Sequence, residues 1–382
     1  MKIFSHNEWD SLKEVILGNM ESFFPGLEFK KNFNTKKYDL AIKIAKSAYP
    51  RWYIDEVNED LNNLRVILER NKIKVLRPQK YNSEEIFSTP YWSAIGCDSY
   101  NVRDLHMIVG NKIISSPSPV KFRYFEPYCL NKIFYNYFKK GFEWINAPKS
   151  MLNEKYLIPY QKKKKIFFAE DKIQKKLMKG RKETFHRLTE KEIIFDAAST
   201  IRLNYDLIYL VSNTGNYLGA KWLQLILGNK YKVHTVTSYR ASHIDSTILP
   251  LNNNTVLINA VRVNKNMVPN VLKNFKKIFF SDVAPVTESE LVFQKKIRDR
   301  AYGKLHEIGV DSHLNAISSP WAGLNVLSLN PNTVLADHRQ LKLIKILEKN
   351  KFNVIPIKMR HCYTMLGGLH CSTLDTVRKQ EK

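Results

Sequence analysis

The chain has 382 residues, 44% of them hydrophobic and 12% aromatic, which supplies a large core and excludes a largely disordered protein. Its 61 Lys and Arg against 36 Asp and Glu give a net charge of +25; this raises nucleic-acid binding as a reading, but the lysines are spread among Asn, Ile, Tyr and Phe rather than gathered into a face. No stretch reaches the apolar length of a membrane span, and Glu8, Asp10 and Glu14 stand where a targeting peptide avoids acids, so a cytoplasmic protein with neither membrane nor nucleic acid as partner is expected.

An amphipathic stretch with Leu61, Leu64, Ile67 and Leu68 reads as a helix, and Asn71-Lys72-Ile73-Lys74-Val75 behind it as a tight stop followed by a strand. The pattern returns at Asn229-Lys230-Tyr231-Lys232-Val233 and at Asn350-Lys351-Phe352-Asn353-Val354. Val109-Gly110-Asn111-Lys112-Ile113-Ile114, Leu251-Asn252-Asn253-Asn254-Thr255-Val256-Leu257 and Leu329-Asn330-Pro331-Asn332-Thr333-Val334-Leu335 read as β-hairpins with Asn, Pro or Gly in the turn. Hairpin, helix and strand recur as a unit, which argues for a closed ring of small α/β modules over a two-domain layout. No linker rich in Gly, Pro or Ser divides the chain, so one domain spanning 1–382 is expected. Residues 150–192, which hold the run Lys162 to Lys165 and then Lys172, Lys175, Lys176 and Lys179, fit no repeat and read as a solvated elaboration on one module.

Three segments carry chemistry. Phe195-Asp196-Ala197-Ala198-Ser199 offers a carboxylate, Ser242-His243-Ile244-Asp245-Ser246-Thr247 an imidazole, and Leu366-Gly367-Gly368-Leu369-His370-Cys371-Ser372-Thr373 a thiol, each in a polar break beside an apolar run. Paired glycines let the backbone turn sharply and leave room for a planar substrate beside the sulfur, so Cys371 reads as a nucleophile, against the bland reading of a buried cysteine. The four cysteines, Cys97, Cys129, Cys362 and Cys371, lack CxxC spacing; a reducing compartment fits, and a Cys362–Cys371 disulfide is weighed against the favoured reading of Cys362 as an inert thiol. No HxH or HExxH spacing points to a metal.

In this order, and with Asn7-Glu8-Trp9-Asp10-Ser11-Leu12-Lys13-Glu14-Val15-Ile16-Leu17-Gly18, Asn101-Val102-Arg103-Asp104, Ser318-Ser319-Pro320-Trp321 and Asn325-Val326-Leu327, these segments resemble the arginine amidinotransferases of the guanidino-group-modifying superfamily nearly end to end. The resemblance implies a five-bladed α/β propeller of pseudo-fivefold ββαβ modules, with its site in the central channel. It further implies a reaction without cofactor: L-arginine gives its amidino group to Cys371, ornithine leaves, and an acceptor amine takes the group. His243 would carry the proton and Asp196 orient it, while Asp104 and Asp245 would hydrogen-bond the guanidino nitrogens. Arg262, within Asn259-Ala260-Val261-Arg262, would clamp the amino-acid carboxylate, and Ser318 and Ser319 would contact substrate. Taken blandly, Arg103-Asp104 is a surface ion pair and Ser318-Ser319 a turn feeding Pro320. Because the global field repels a cationic substrate, Asp104, Asp196 and Asp245 are expected as local acids.

Departures from the family pattern bear on the acceptor. Ser238-Tyr239-Arg240-Ala241-Ser242 is a shorter approach to His243 than in the glycine-using members, so the expected acceptor is an amine other than glycine, of natural-product or aminocyclitol type. Leu366 stands where the family often carries a third glycine, and Ser199 where it often carries an acid. An arginine deiminase-like hydrolase giving citrulline is the alternative, against which the amino-terminal block and Phe-Asp-Ala-Ala favour transfer. The oligomeric state stays open, a homodimer included.

Overall fold

The computed structural model describes residues 4–379 apart from 22–23, 30–32, 81, 83, 97–98, 154–187, 240 and 313–317. The lysine run at 162–165 and Cys97 lie outside the described residues.

Five three-stranded sheets share one connection pattern, in which a first strand pairs antiparallel with a second and the second pairs parallel with a third. Four follow in chain order: His106–Val109, Lys112–Ser115 and Glu143–Asn146; Thr200–Leu203, Asp206–Leu210 and Lys232–Val236; Ile248–Asn252, Thr255–Asn259 and Lys276–Phe280; Leu327–Asn330, Thr333–Asp337 and Asn353–Ile357. The remaining sheet is assembled from both ends of the chain. Thr373–Lys379 pairs antiparallel with Ser11–Leu17, which pairs parallel with Lys74–Leu76. The carboxy-terminal strand thus takes the place a hairpin's first strand holds elsewhere, and it packs beside His106–Val109, while Ser11–Leu17 packs beside Leu327–Asn330. The fold class is α/β, as the recurring unit predicts.

The helices follow from apolar spacing. Arg51–Arg70 buries Tyr53, Val57, Leu61, Leu64 and Leu68 on one face, and Leu341–Lys349 buries Leu343 and Leu347. Asn131–Phe138 and Tyr217–Leu227 make the equivalent crossovers in their modules. Between Asn259 and Lys276 the crossover is instead two single turns, Lys265–Met267 and Asn270–Leu272, so the expected helix gives way to 3₁₀ turns there. The predicted tight stops are left-handed caps. Lys72 and Lys351 have φ of 59° and 68°, and in each case the next residue returns to the last turn: Ile73 N donates to Leu68 O at 3.1 Å and Phe352 N to Leu347 O at 3.1 Å. In the third copy Gly228 takes the positive φ, at 65°.

All three predicted hairpins form, with turns at Gly110-Asn111, Asn253-Asn254 and Pro331-Asn332. A fourth, at Asn204-Tyr205, is one the sequence reading passed over; Asn204 supplies its left-handed residue at φ 64°, with neither Gly nor Pro and no run of Asn to mark the turn. Apolar packing crosses module borders, since Ile201 and Leu210 share one core with Leu249, Leu257, Val334 and Leu343. Also beyond the repeat is a four-stranded sheet, ordered Val310–Ser312, Leu27–Phe29, Ser93–Ile95 and Ile86–Ser88. At the border of the lysine-rich elaboration the chain leaves and returns at one place: Glu192 accepts from Met151 N at 2.7 Å and Leu152 N at 3.2 Å. Among the described residues no helix is long and apolar enough to cross a membrane.

A non-glycine residue in the left-handed region carries conformational strain that glycine does not. Lys351→Gly is therefore expected to raise unfolding stability by about 0.5–1 kcal/mol, read as a higher urea midpoint at unchanged slope, whereas Lys351→Val lowers it.

Candidate active site

The turn that ends at Cys371 enters the middle of the modules immediately before the closing strand. Asn325 pins it from the neighbouring segment, its Oδ1 accepting from Cys371 N at 2.6 Å. Ser372 N donates to Gly368 O at 3.0 Å and the Thr373 hydroxyl to Leu369 O at 2.8 Å, closing the turn on itself. A Cβ on Gly367 would lie 1.9 Å from Asn101 Oδ1, and one on Gly368 would lie 2.4 Å from Ala322 O and 2.7 Å from Asn325 Cβ. The room left by the paired glycines is thus filled by Asn101 and Asn325, not kept for a substrate, and neither glycine has positive φ. The left-handed residue is Leu366, at φ 56°, the position where the resembled family often carries its third glycine.

Cys371 is 5% exposed. Its thiol donates to Asp245 Oδ2 at 3.2 Å, and His370 Nδ1 lies 2.9 Å from the same oxygen. His243 faces two other carboxylates, with Nε2 3.1 Å from Asp196 Oδ2 and Nδ1 3.5 Å from Asp104 Oδ1. The thiol and the imidazole therefore each hold acids rather than one another. Short backbone links bring these loops together: Ala197 N donates to Asp104 O at 2.6 Å, Asp196 N to Thr214 O at 2.7 Å, and Ile244 N to Ala198 O at 3.1 Å. The Thr214 hydroxyl donates to Ser242 O and holds the residue before His243.

Charge is distributed unevenly across this constellation. Burial works against a cationic His243, yet Asp104 and Asp196 outweigh it and carry its pKa up to about 9. Burial, with Asp245 and Asp104 adding to it, pushes the Cys371 thiol well above the usual range. Asp104 is raised by burial despite His243 and Arg123. Asp245 goes the other way: burial opposes its charge, but His370 holds it well below the usual carboxylate range. At neutral pH the site thus holds an imidazolium, a protonated thiol and an ionised Asp245. Such a site can take a planar cation among its carboxylates.

Arg262 is buried, donates to Ser246 Oγ at 3.1 Å and Thr247 Oγ1 at 2.9 Å, and sets its guanidinium 5.1 Å from the centre of the Trp321 ring. Ser318 Oγ meets Thr364 Oγ1 at 3.1 Å and Ser319 N donates to Tyr363 O at 3.0 Å, which fastens both serines to the segment leading to Cys371. Arg103 is not a surface ion pair with Asp104. It is buried, with Nε on His370 O at 2.9 Å and Nη2 on Asp375 Oδ1 at 2.5 Å. Asp104 pairs instead with Arg123, at 2.6 Å, which also grips Glu126 through two bonds of 2.6 and 2.8 Å. The sequence reading missed Arg123 and the partner roles of Asn325, Glu8 and His370. Glu8 and His370 lay inside quoted blocks, but nothing in their spacing tells which buried groups they meet.

No protein-family model matches the chain. Among curated proteins it is 33% identical to inosamine-phosphate amidinotransferase 1 of Streptomyces glaucescens over 377 residues, covering 98% of this chain and 96% of that protein. It is 28% identical to the mitochondrial glycine amidinotransferase of Danio rerio, covering 99% of this chain and 83% of that one. Among solved structures, the inosamine-phosphate amidinotransferase of Streptomyces griseus superposes with a TM-score of 0.77 at 30% identity, covering 99% and 97% of the two chains.

Asp196→Asn removes one of the two carboxylates that face the His243 ring, so the ring's pKa is expected to fall from about 9 toward its ordinary 6.5. Titration of the imidazole by NMR in arginine-free protein measures it, and an unchanged midpoint would remove Asp196 as the ring's electrostatic partner.

Proposed function

The chain belongs to the amidinotransferase family, and from that premise we propose that it moves the amidino group of L-arginine, through a covalent amidino-cysteine on Cys371, to an acceptor amine larger than glycine, releasing L-ornithine. The observation that carries this reading is a buried thiol and a partly buried imidazole set among Asp104, Asp196 and Asp245 in one site. The like-connected sheets support the five-bladed propeller implied by the resemblance, with this site at its centre.

A guanidinium carbon is a poor electrophile, so the donor must be held flat while a thiolate is brought to it. Asp104 Oδ1 and Asp245 Oδ1 are buried oxygens with no hydrogen-bond donor among the described residues, which suits them to guanidino N–H groups. In the free protein the neighbouring acids disfavour a thiolate, and an arriving cation offsets those acids. Binding of arginine therefore expels the thiol proton. The thiolate adds to the guanidinium carbon to give a neutral tetrahedral adduct. His243 passes its proton to the departing nitrogen, the C–N bond breaks, and ornithine leaves a cationic amidino-cysteine behind. The now neutral His243 takes a proton from the acceptor amine as it adds to that carbon, and collapse of the second adduct returns the thiolate. Arg262, anchored by Ser246 and Thr247 next to Asp245, would grip the donor's carboxylate in this reading. Ser318 and Ser319, on a segment tied to the Cys371 turn, are the expected further contacts to substrate.

The His243 side chain is 18% exposed while those of Asp104 and Asp196 are 4% and 2%, so an acceptor approaches from the His243 side. Tyr239 and Ala241 are buried in the core rather than folded over the ring, which supports a bulky acceptor. The inosamine-phosphate enzyme's higher identity than the glycine enzyme's points the same way, toward an aminocyclitol-type amine. Whole-length similarity to transferases supports transfer over hydrolysis to citrulline.

With arginine and no acceptor, mass spectrometry of the Cys371 peptide is expected to show an added amidino group, and ornithine beyond that first turnover to require an added amine. Cys371→Ser should lower kcat/KM by roughly a thousandfold or more, since a hydroxyl lacks an accessible anion. An unmodified Cys371 under turnover conditions would remove the covalent step.

Mixing with arginine near neutral pH should release roughly one proton per donor bound, because the raised thiol ionises on binding, and Cys371→Ser should abolish the release. Calorimetry in buffers of different ionisation enthalpy reads it. Among acceptors, aminocyclitols should outperform glycine; the reverse order would overturn the reading of the 238–242 loop.

A further inference from the structure

We propose that His370 is a positioning residue for this reaction: held between Asp245 and Glu8, its ring fixes Asp245 with one oxygen toward the thiol and the other toward the donor, and sets a positive charge beside Cys371. The proposal rests on the amidinotransfer reading for its kinetic consequences, but not for its electrostatic ones. His370 Nδ1 lies 2.9 Å from Asp245 Oδ2 and Nε2 3.2 Å from Glu8 Oε2. A carboxylate oxygen accepts, so a ring that meets one on each side satisfies both bonds by donating from both nitrogens. It is buried, as are both acids, so no water substitutes for either bond.

The geometry leaves the ring no freedom. His370 N donates to Asn325 O at 3.3 Å, and Arg103 Nε donates to His370 O at 2.9 Å. Glu8 is gripped by Arg202 at 2.6 and 2.8 Å and by Arg103 at 3.3 Å, so it cannot turn away from the imidazole. Asp245 Oδ2 receives both the ring and the thiol of the next residue. Loss of the thiol proton would otherwise set two anions 3.2 Å apart, and the imidazolium on the shared oxygen offsets that repulsion. The other charged groups around the pair are Arg103, Arg202 and Asp375 behind the ring, and Asp104 with His243 across the site. Among the described residues, none of these charged side chains shares the Asp245 oxygen that the thiol meets, as His370 does.

The test is alkylation of Cys371 by iodoacetamide across pH in arginine-free protein, quantified on the Cys371 peptide, for the unsubstituted protein, His370→Asn and His370→Gln. Both variants keep hydrogen-bonding capacity and lose the charge, so the alkylation midpoint should rise by about one pH unit in each, and the KM for arginine by about tenfold with a smaller change in kcat. A folded variant with an unmoved midpoint overturns the proposal, because a merely structural role would change the amount of folded protein and not the profile. Alkylation needs no turnover. A shifted midpoint without any transfer activity would therefore uphold His370's coupling while overturning the proposed reaction. Should both variants fail to fold, the imidazole ¹⁵N signals of the unsubstituted protein decide: two protonated ring nitrogens on His370 are expected, and one bare nitrogen overturns the assignment.

Discussion

Arg103, Arg202 and Arg378 converge on Asp375 in the interior, and the modules are arranged around that junction. Asp375 accepts from Arg103 at 2.5 Å, from Arg202 at 2.7 Å and from Arg378 at 2.8 Å. The three arginines come from the segment before His106–Val109, from Thr200–Leu203 and from the closing strand, so one carboxylate ties separate modules together. Arg202 reaches further, to Ile108 O at 2.7 Å, and Arg378 to Ser328 O at 3.0 Å. Burying so many charges carries a large desolvation cost, which only dense mutual pairing offsets. The return is geometric: the strands that bear these groups cannot slide relative to one another without stranding a charge.

That junction also dictates where the chemistry sits. Arg103 donates to the carbonyls of His370 and Thr373, so the cluster holds the Cys371 turn from beneath. Glu8, from the amino-terminal end, closes the same cluster through Arg202 and passes it on to His370 and hence to Asp245. A thiol seated above such a framework is buried, surrounded by acids and disfavoured as an anion until a cation joins it. In a chain with a net charge of +25, local acids of this kind are what make a guanidinium welcome at one point and unwelcome elsewhere.

Local signals made the modules legible. Two-residue hairpin turns and left-handed helix stops are written in Asn, Gly, Pro and Lys at fixed offsets, and each has a conformational cause that operates within a few residues. The accessory sheet was not legible, because three-residue strands such as Leu27–Phe29 and Val310–Ser312 lie far apart in sequence and carry too few alternations to register. The site divides in the same way. Cys371, His243, Asp196, Asp104 and Asp245 stood out through the family blocks, and they do come together. Arg123 did not, since its partner Asp104 is 19 residues distant and nothing in its neighbourhood marks it; Asn325 opens a family block, but its bond to a residue 46 positions on is not written there. The glycines were read for the wrong reason: what excludes a side chain at Gly367 and Gly368 is close packing by Asn101, Ala322 and Asn325.

Of the positions at which this chain departs from the family, two bear on the loop that carries His243 and one lies in the Cys371 turn. Ser199 hydrogen-bonds with Thr214, whose hydroxyl holds the Ser242 carbonyl, so the place where an acid often stands here supports the loop that presents His243. The short 238–242 stretch leads into that same loop. Leu366, 41% exposed at the outer end of the Cys371 turn, bears strain that a glycine would not. None of the three touches the ionic junction or the Asp245–His370–Glu8 line. In the proposed transfer, Asp245 on the donor's side is thus tied through His370 and Glu8 to the buried charges that hold the fold, where a substitution disturbs several modules at once. The loop that carries His243 rests on hydroxyl contacts, where a substitution reshapes the approach to the ring and leaves the framework intact. In the proposed transfer, acceptor preference can therefore change on this scaffold more readily than donor chemistry.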